Sequence, residues 1–188
     1  MRTLFSFQMI SLDGFFEGPK RELDWHNVDK EFHEFAERQL SLVDTLLFGR
    51  VTYQMMASFW PTATESDPMI ANTMNSLPKL VFSRTLSAVE WNNSKLMNGD
   101  LVEEVSKLKN QPGKDIAILG SAVVVSALME ANLIDEHRIM IAPIILGSGN
   151  SLFKNMERRH PLKLLRTTAF KSGNVLLIYK PDDKTVGA

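Results

Sequence analysis

Phe48-Gly49-Arg50-Val51-Thr52-Tyr53 is the stretch on which the fold turns. A short apolar strand, Thr45 to Phe48, runs into Gly49. A helix follows from about Arg50 to Phe59 and stops before Pro61. The same grammar returns at Leu119-Gly120-Ser121-Ala122, where a strand from Ile116 meets Gly120 and a helix runs from about Ser121 to Ala131. Asn132 is placed to cap the end of that helix. Free backbone N–H groups and the positive end of the dipole make each helix start suitable for a phosphate. Arg50 adds a charge and Thr52 a hydroxyl, while Ser121 and Ala122 are small enough for backbone to approach a ligand. Together the two turns could hold the two ends of a pyrophosphate. A glycine after a strand also makes a plain tight turn in any α/β protein. Neither the three-glycine dinucleotide fingerprint nor the Walker phosphate loop is present.

Outward from these turns the chain alternates strand and helix. Thr3 to Leu12 is rich in β-formers with few polar positions, which predicts a strand buried on both faces and stopped by Asp13-Gly14. Val28, Phe32, Phe35, Ala36, Leu40 and Val43 recur at helical spacing behind Asn27 or Asp29 as cap. Pro68 opens a third helix, and Lys79 to Ser83 reads as a strand after Pro78. Val89-Glu90-Trp91 is expected to be another short strand. Asp100 caps a helix carrying Leu101, Val105 and Leu108 on one face. His137 to Ala142 is a strand leading to Leu146-Gly147-Ser148-Gly149-Asn150. Two last strands, about 163–171 and 175–180, flank Ser172-Gly173-Asn174 as an antiparallel hairpin. This order implies a mostly parallel sheet with helices on both faces and an antiparallel edge. Residues 1–188 read as one domain without repeat or linker.

The chain has 188 residues, 44% hydrophobic and 23% charged, which are ordinary globular values. A net charge of -1 gives no reason to expect a nucleic-acid partner. With no cysteine, disulfides, thiolate metal sites and cysteine nucleophiles are excluded. His26, His33, His137 and His160 form no paired ligand motif, so no metal is expected. No stretch is apolar enough to span a bilayer, and the start of the chain lacks the pattern of a secretory leader. A cytoplasmic location and no membrane partner are the resulting expectations.

Other candidates cluster where strands end. Ser83-Arg84 could recognise a ribose phosphate, the guanidinium taking two oxygens, or could be an ordinary solvated loop. Asp13-Gly14 could border a ligand crevice or form a simple turn. Trp25 and Trp60 could wall a substrate pocket, or belong to the core.

Met9-Ile10-Ser11-Leu12-Asp13-Gly14-Phe15, Leu47-Phe48-Gly49-Arg50-Val51-Thr52-Tyr53, Leu80-Val81-Phe82-Ser83-Arg84, Ile118-Leu119-Gly120-Ser121-Ala122 and the run Asn132–Phe153 occur in an order that resembles a known family. The chain is similar to the dihydrofolate reductase-like superfamily, in the branch of the C-terminal reductase domain of the bifunctional riboflavin-biosynthesis deaminase-reductase. That resemblance implies a three-layer α/β/α domain binding NADPH along the carboxyl ends of the central strands. It places Gly49, Arg50 and Thr52 at the pyrophosphate, Ser83 and Arg84 near the adenosine 2′-phosphate, and Gly120, Ser121 and Ala122 at a second phosphate turn. Asp13 and Gly14 would border nicotinamide and substrate, with Asp13 the candidate for organising a proton, and Trp60 would line the substrate side. A homodimer is also implied.

Two positions depart from that branch. A lysine is expected at Phe7 and a glutamate at Leu119. His33 falls near the position of the acid that dihydrofolate reductases place on the first helix, with Glu31, Glu34 and Glu37 as neighbouring alternatives. The cofactor half therefore looks retained and the substrate half rewritten. The expectation is an NADPH-dependent reductase of a small heteroaromatic, carbonyl or imine substrate. The alternatives are reduction of the riboflavin-pathway ribosylaminopyrimidine, nucleotide binding without turnover, and folate reduction.

Overall fold

The computed structural model describes residues 1–63, 68–153 and 156–182. Fifteen elements follow one another: β1 Leu4–Ser11, β2 Phe15–Glu17, α1 Lys30–Ser41, β3 Val43–Gly49, α2 Arg50–Phe59, α3 Pro68–Ser76, β4 Lys79–Phe82 and β5 Ser94–Met97, then α4 Leu101–Lys109, β6 Asp115–Leu119, α5 Ala122–Glu130, β7 Glu136–Ala142, β8 Asn150–Ser151, β9 Leu162–Ala169 and β10 Val175–Pro181. Eight strands form one sheet in the order β5-β4-β3-β6-β1-β7-β10-β9. From β5 to β7 every pairing is parallel. β10 runs antiparallel to both β7 and β9, which is the expected hairpin edge.

Alternation along the strands sorts the core into layers. Phe5, Phe48 and Ala117 pack with Tyr53 of α2 and Met74 of α3 on one face. Leu4, Leu47, Ile116 and Ile118 pack with Val105 of α4 and Val125 and Leu128 of α5 on the other. The three-layer α/β/α arrangement follows directly. A third cluster, Met9, Met140, Leu176 and Ile178, lies under Phe32 and Phe35 of α1.

Local chemistry explains the helix bounds. Asp29 caps α1 by accepting the Phe32 N–H at 2.8 Å, so Val28 lies before the helix, and Val43 belongs to β3. Asp100 accepts from the Val102 and Glu103 N–H groups at the start of α4. Asn132 has φ 53, and the N–H groups of Asn132 and Leu133 return to the carbonyls of Met129 and Leu128, which closes α5 in a Schellman turn.

One expected strand is displaced. Val89-Glu90-Trp91 is not a strand; β5 begins three residues later, at Ser94. Trp91 instead turns inward, 6% exposed, while the Glu90 and Trp91 N–H groups donate to the Tyr53 hydroxyl at 3.0 Å. Burying the indole and satisfying its backbone on a side chain outweighs the β-propensity of Val89. β2 and β8 pair as a separate two-stranded sheet.

Candidate functional site

β4, β3, β6 and β1 are neighbours in the sheet and share one direction. Their carboxyl ends therefore line one edge, and the candidate residues follow in the same spatial order: Ser83 and Arg84, then Gly49, Arg50 and Thr52, then Gly120, Ser121 and Ala122, then Asp13 and Gly14. At about 4.8 Å per strand the row spans about 15 Å.

The two glycine turns are bonded to each other. The Gly49 N–H donates to Ser121 Oγ at 2.8 Å, and the Ser121 N–H donates to Thr52 Oγ1 at 2.9 Å. α2 and α5 come from opposite helical layers, so this lock joins the layers across the sheet edge. It also gives Thr52 and Ser121, both buried, a structural task beside any ligand contact. Ser121 pays for the geometry with a left-handed backbone, φ 57 and ψ 60, directly after Gly120 at φ 66. A Cβ on Gly120 would sit 3.0 Å from Thr52 Cγ2, so the cradle needs glycine for both its backbone and its space.

No side chain caps α2 or α5, in contrast to α1 and α4. The first-turn N–H groups at this edge are thus left for another acceptor. Arg50 is exposed, its guanidinium touching Gln54 Oε1 at 3.3 Å. Ser83 Oγ accepts the Thr85 and Leu86 N–H groups and lies 3.4 Å from Thr85 Oγ1, which folds the loop after β4. Arg84 is exposed beside it.

Asp13, the candidate for organising a proton, is held in place by a set of hydrogen bonds. Its carboxylate accepts from the Ser11 hydroxyl at 2.7 Å and from the Leu146 and Gly147 N–H groups at 3.1 and 2.8 Å. The Ser11 bond first, then these backbone bonds, hold its pKa below the ordinary carboxylate value. A carboxylate so held stays ionised near neutral pH and is a poor acid. It also ties the end of β1 to the 146–147 loop. Beside that tie lies a cleft of about 500 Å³ lined by Trp25, Ile144, Leu146 and Ser148 among others. Trp25 lines this cleft and also packs against the core cluster of Met9 and Met140. Trp60 lies at the far end of α2 from Gly49, half-buried against the cluster that holds Phe7 and Leu119, its Nε1 directed at Met56 Sδ.

Phe7 packs against Phe32 and Phe35 of α1, with ring centroids 6.2 and 5.6 Å away. This aromatic group fills the space between β1 and α1 where the resemblance implied charged groups. Gln8 was missed by sequence reasoning. It is 1% exposed, and its Nε2 donates to the Gly120 carbonyl at 2.7 Å, fixing the second turn from β1. A lone glutamine in an apolar strand was the available signal. Among the described residues no group of three or more His, Asp or Glu is placed to hold a metal ion. No helix of the described residues is long and apolar enough to cross a membrane.

Comparison with known proteins agrees with this geometry. The RibD C-terminal domain family matches residues 2–176. The uncharacterized protein YyaP of Bacillus subtilis (strain 168) is 36% identical over 174 residues, 90% of each chain. A solved protein of Shewanella sp. PV-4, named for riboflavin biosynthesis, superposes with TM-score 0.74 at 27% identity, covering 96% of this chain and 99% of that one. Dihydrofolate reductase from Enterococcus faecalis, solved with NADP(H), shares the fold at TM-score 0.65 and 16% identity, over 96% of this chain and 97% of its own.

Proposed function

This chain belongs to the RibD C-terminal domain family, and from that premise we propose that it is a single-domain, NADPH-dependent reductase of a small substrate. The observation that carries the proposal is the Gly49–Ser121–Thr52 lock, which brings two helix starts without side-chain caps to one sheet edge. The residues present fit a dinucleotide: backbone donors at both turns, a cradle at Gly120 that a Cβ would fill, and Arg50 and Arg84 as flanking cations. Gly49, Arg50, Thr52, Gly120, Ser121 and Ala122 would hold the phosphates, and Ser83 and Arg84 the 2′-phosphate.

NADPH supplies hydride when bound, and the protein's share is orientation and exclusion of water. Asp13 and Gly14 shape the end of the row nearest the cleft, Asp13 by anchoring Leu146 and Gly147. Asp13 acts here as a positioning residue, and the proton comes from water or from the substrate's own acidic group. Phe7, Phe32 and Phe35 favour a substrate with an apolar or heteroaromatic face. Phe7 and Leu119, apolar where the resemblance implies a lysine and a glutamate, discriminate against a polar ribosylaminopyrimidine. Fluorescence titration with NADPH and NADH tests the cofactor. NADPH should bind in the micromolar range and more tightly than NADH; binding of neither below about 1 mM would overturn the reading. Oxidation of NADPH with a panel of carbonyl, imine, pterin and flavin-precursor compounds then separates a reductase from a module that binds without turnover.

A further inference from the structure

The amino end of the sheet holds a cavity of about 480 Å³ that the candidate site does not use. Its size lies in the range of small-molecule sites. Met129 near the end of α5, Ile134 just after that helix and Leu162 at the start of β9 give it apolar walls. His137, the second residue of β7, lines it as well and is 1% exposed. Ser6 and Ser11 of β1 pair with His137 and Ala142 of β7. His137 therefore lies five residues, about 17 Å, before the strand ends at which the candidate row stands.

Most charges around this cavity already have partners. Asp135 accepts from Lys109 Nζ at 2.6 Å and from the Leu4 N–H at 2.7 Å. Arg158 donates to the carboxylate and the carbonyl of Glu130 at 3.3 and 2.8 Å, and His160 Nε2 lies 3.1 Å from the same carboxylate. Asp182 has a partner of its own. Two cations remain. Arg159 and Lys180 both line the cavity, both are exposed, and neither meets a carboxylate among the described residues. His137 keeps an unused group too. Its Nδ1 lies 3.2 Å from Ser6 Oγ, and none of the described residues bonds its Nε2. A buried imidazole nitrogen without a protein partner takes one from whatever fills the space beside it.

We propose that this cavity is a second ligand site, which takes a small organic carboxylate with an apolar body. Arg159 and Lys180 supply the charge, His137 Nε2 a buried hydrogen-bond donor, and Met129, Ile134 and Leu162 the surface for the body. An anion selects the imidazole tautomer in which the Ser6 hydroxyl donates to Nδ1 and the Nε2 proton is left for the ligand. A single charge suits the place better than a phosphate dianion. α5 ends here rather than starts, so the negative end of its dipole opposes a doubly charged group. The inference is independent of the nucleotide reading.

Isothermal titration of the full chain with 2-naphthoate, in the absence of nucleotide, tests the site. The wild type should bind it with a Kd below about 1 mM. The uncharged 2-naphthamide should bind at least about tenfold more weakly. The double variant Arg159→Ala, Lys180→Ala should lower naphthoate affinity about tenfold or more with an unchanged melting temperature, because both side chains are exposed. Should that pair fail to fold, Arg159→Gln alone decides, with a loss of about threefold or more. Arg50→Glu, at the opposite edge of the sheet, should leave naphthoate binding as it is. No binding of naphthoate at about 5 mM overturns the proposal. So do equal affinities for the acid and the amide, an unchanged affinity in the folded Arg159 and Lys180 variant, or a loss of binding in Arg50→Glu. Nucleotide titration of the same samples reports separately on the cofactor site.

Discussion

Phe7 of β1 and Leu119 of β6 are partners in the parallel ladder, and the N–H of Gly120 donates to the Phe7 carbonyl at 3.2 Å. They are also the two positions where the resemblance to riboflavin reductases implies a lysine and a glutamate. Adjacent, such residues would compensate each other's charge. Losing one alone would strand a charge in a closed site, so joint replacement by apolar residues is the physically consistent change. Leu119→Glu alone should therefore destabilise the protein by about 3 kcal/mol or more, and adding Phe7→Lys should recover at least about 1 kcal/mol. Urea unfolding of the four proteins gives the coupling, and strict additivity would refute it.

Thr52→Val removes the acceptor of the Ser121 N–H while keeping the shape of the side chain. The buried donor is left unpaired, at a cost of about 1–3 kcal/mol. Chemical denaturation measures this directly. Nucleotide affinity should fall as well, because the two turns lose their common geometry.

Gly120→Ala meets two penalties. The backbone is left-handed, and the added methyl would lie 3.0 Å from Thr52 Cγ2. A loss of about 1–3 kcal/mol is expected. Gly14, also at positive φ but with nothing within 4 Å of a Cβ, should show only the smaller backbone cost on replacement by alanine. Equal effects at the two glycines would contradict this account.

Arg84→Ala should leave the melting temperature unchanged and lower the preference for NADPH over NADH about tenfold or more. Side-by-side titration with both nucleotides is the measurement. An unchanged ratio would remove Arg84 from the 2′-phosphate site.

Acid should weaken the fold through two histidines, the buried His137 and the half-buried His26. Burial pushes His26 down to about 4; burial and then nearby His160 push His137 to about 4. In the unfolded chain both titrate near 6.5, so between these values the unfolded state binds more protons. Their contribution is thus full above about pH 6.5 and is lost as the pH falls toward 4. At about 1.4 kcal/mol per pKa unit, each supplies up to a few kcal/mol. Unfolding in urea at pH 7.5 and pH 5 should show the decline, and His26→Gln with His137→Gln should flatten it.

The layered fold was legible because long signals carried it: a first strand rich in β-formers, an amphipathic α1, and two strand–glycine–helix turns. The short pieces were not. β2 and β8 have three and two residues, too few to show a period. The site was legible as a set of turns but not as a lock, because Gly49 meets Ser121, and Asp13 meets Leu146, only once the sheet has assembled. By its position Asp13 is a candidate for organising a proton; its bonding partners, 133 and 134 residues away, add the task of an anchor that no local pattern announces. Lys79 gave no hint of its place either. It is fully buried, with its ammonium on the carbonyls of Met74, Asn75 and Leu77, where burial lowers its pKa to about 8.

The order β3-β6-β1-β7 has a consequence for how the chain comes into being. β1 is the first strand to be synthesised, yet both of its neighbours in the large sheet lie beyond residue 114. Until Asp115–Leu119 has left the ribosome, the eight-residue strand β1 has no permanent partner there, and β3 has no link to it. Closure must then wait on contacts more than a hundred residues apart, which is slow and leaves a sticky segment in the open. A nascent chain halted before β6 should expose that segment to chaperones, and one halted after β7 should release it.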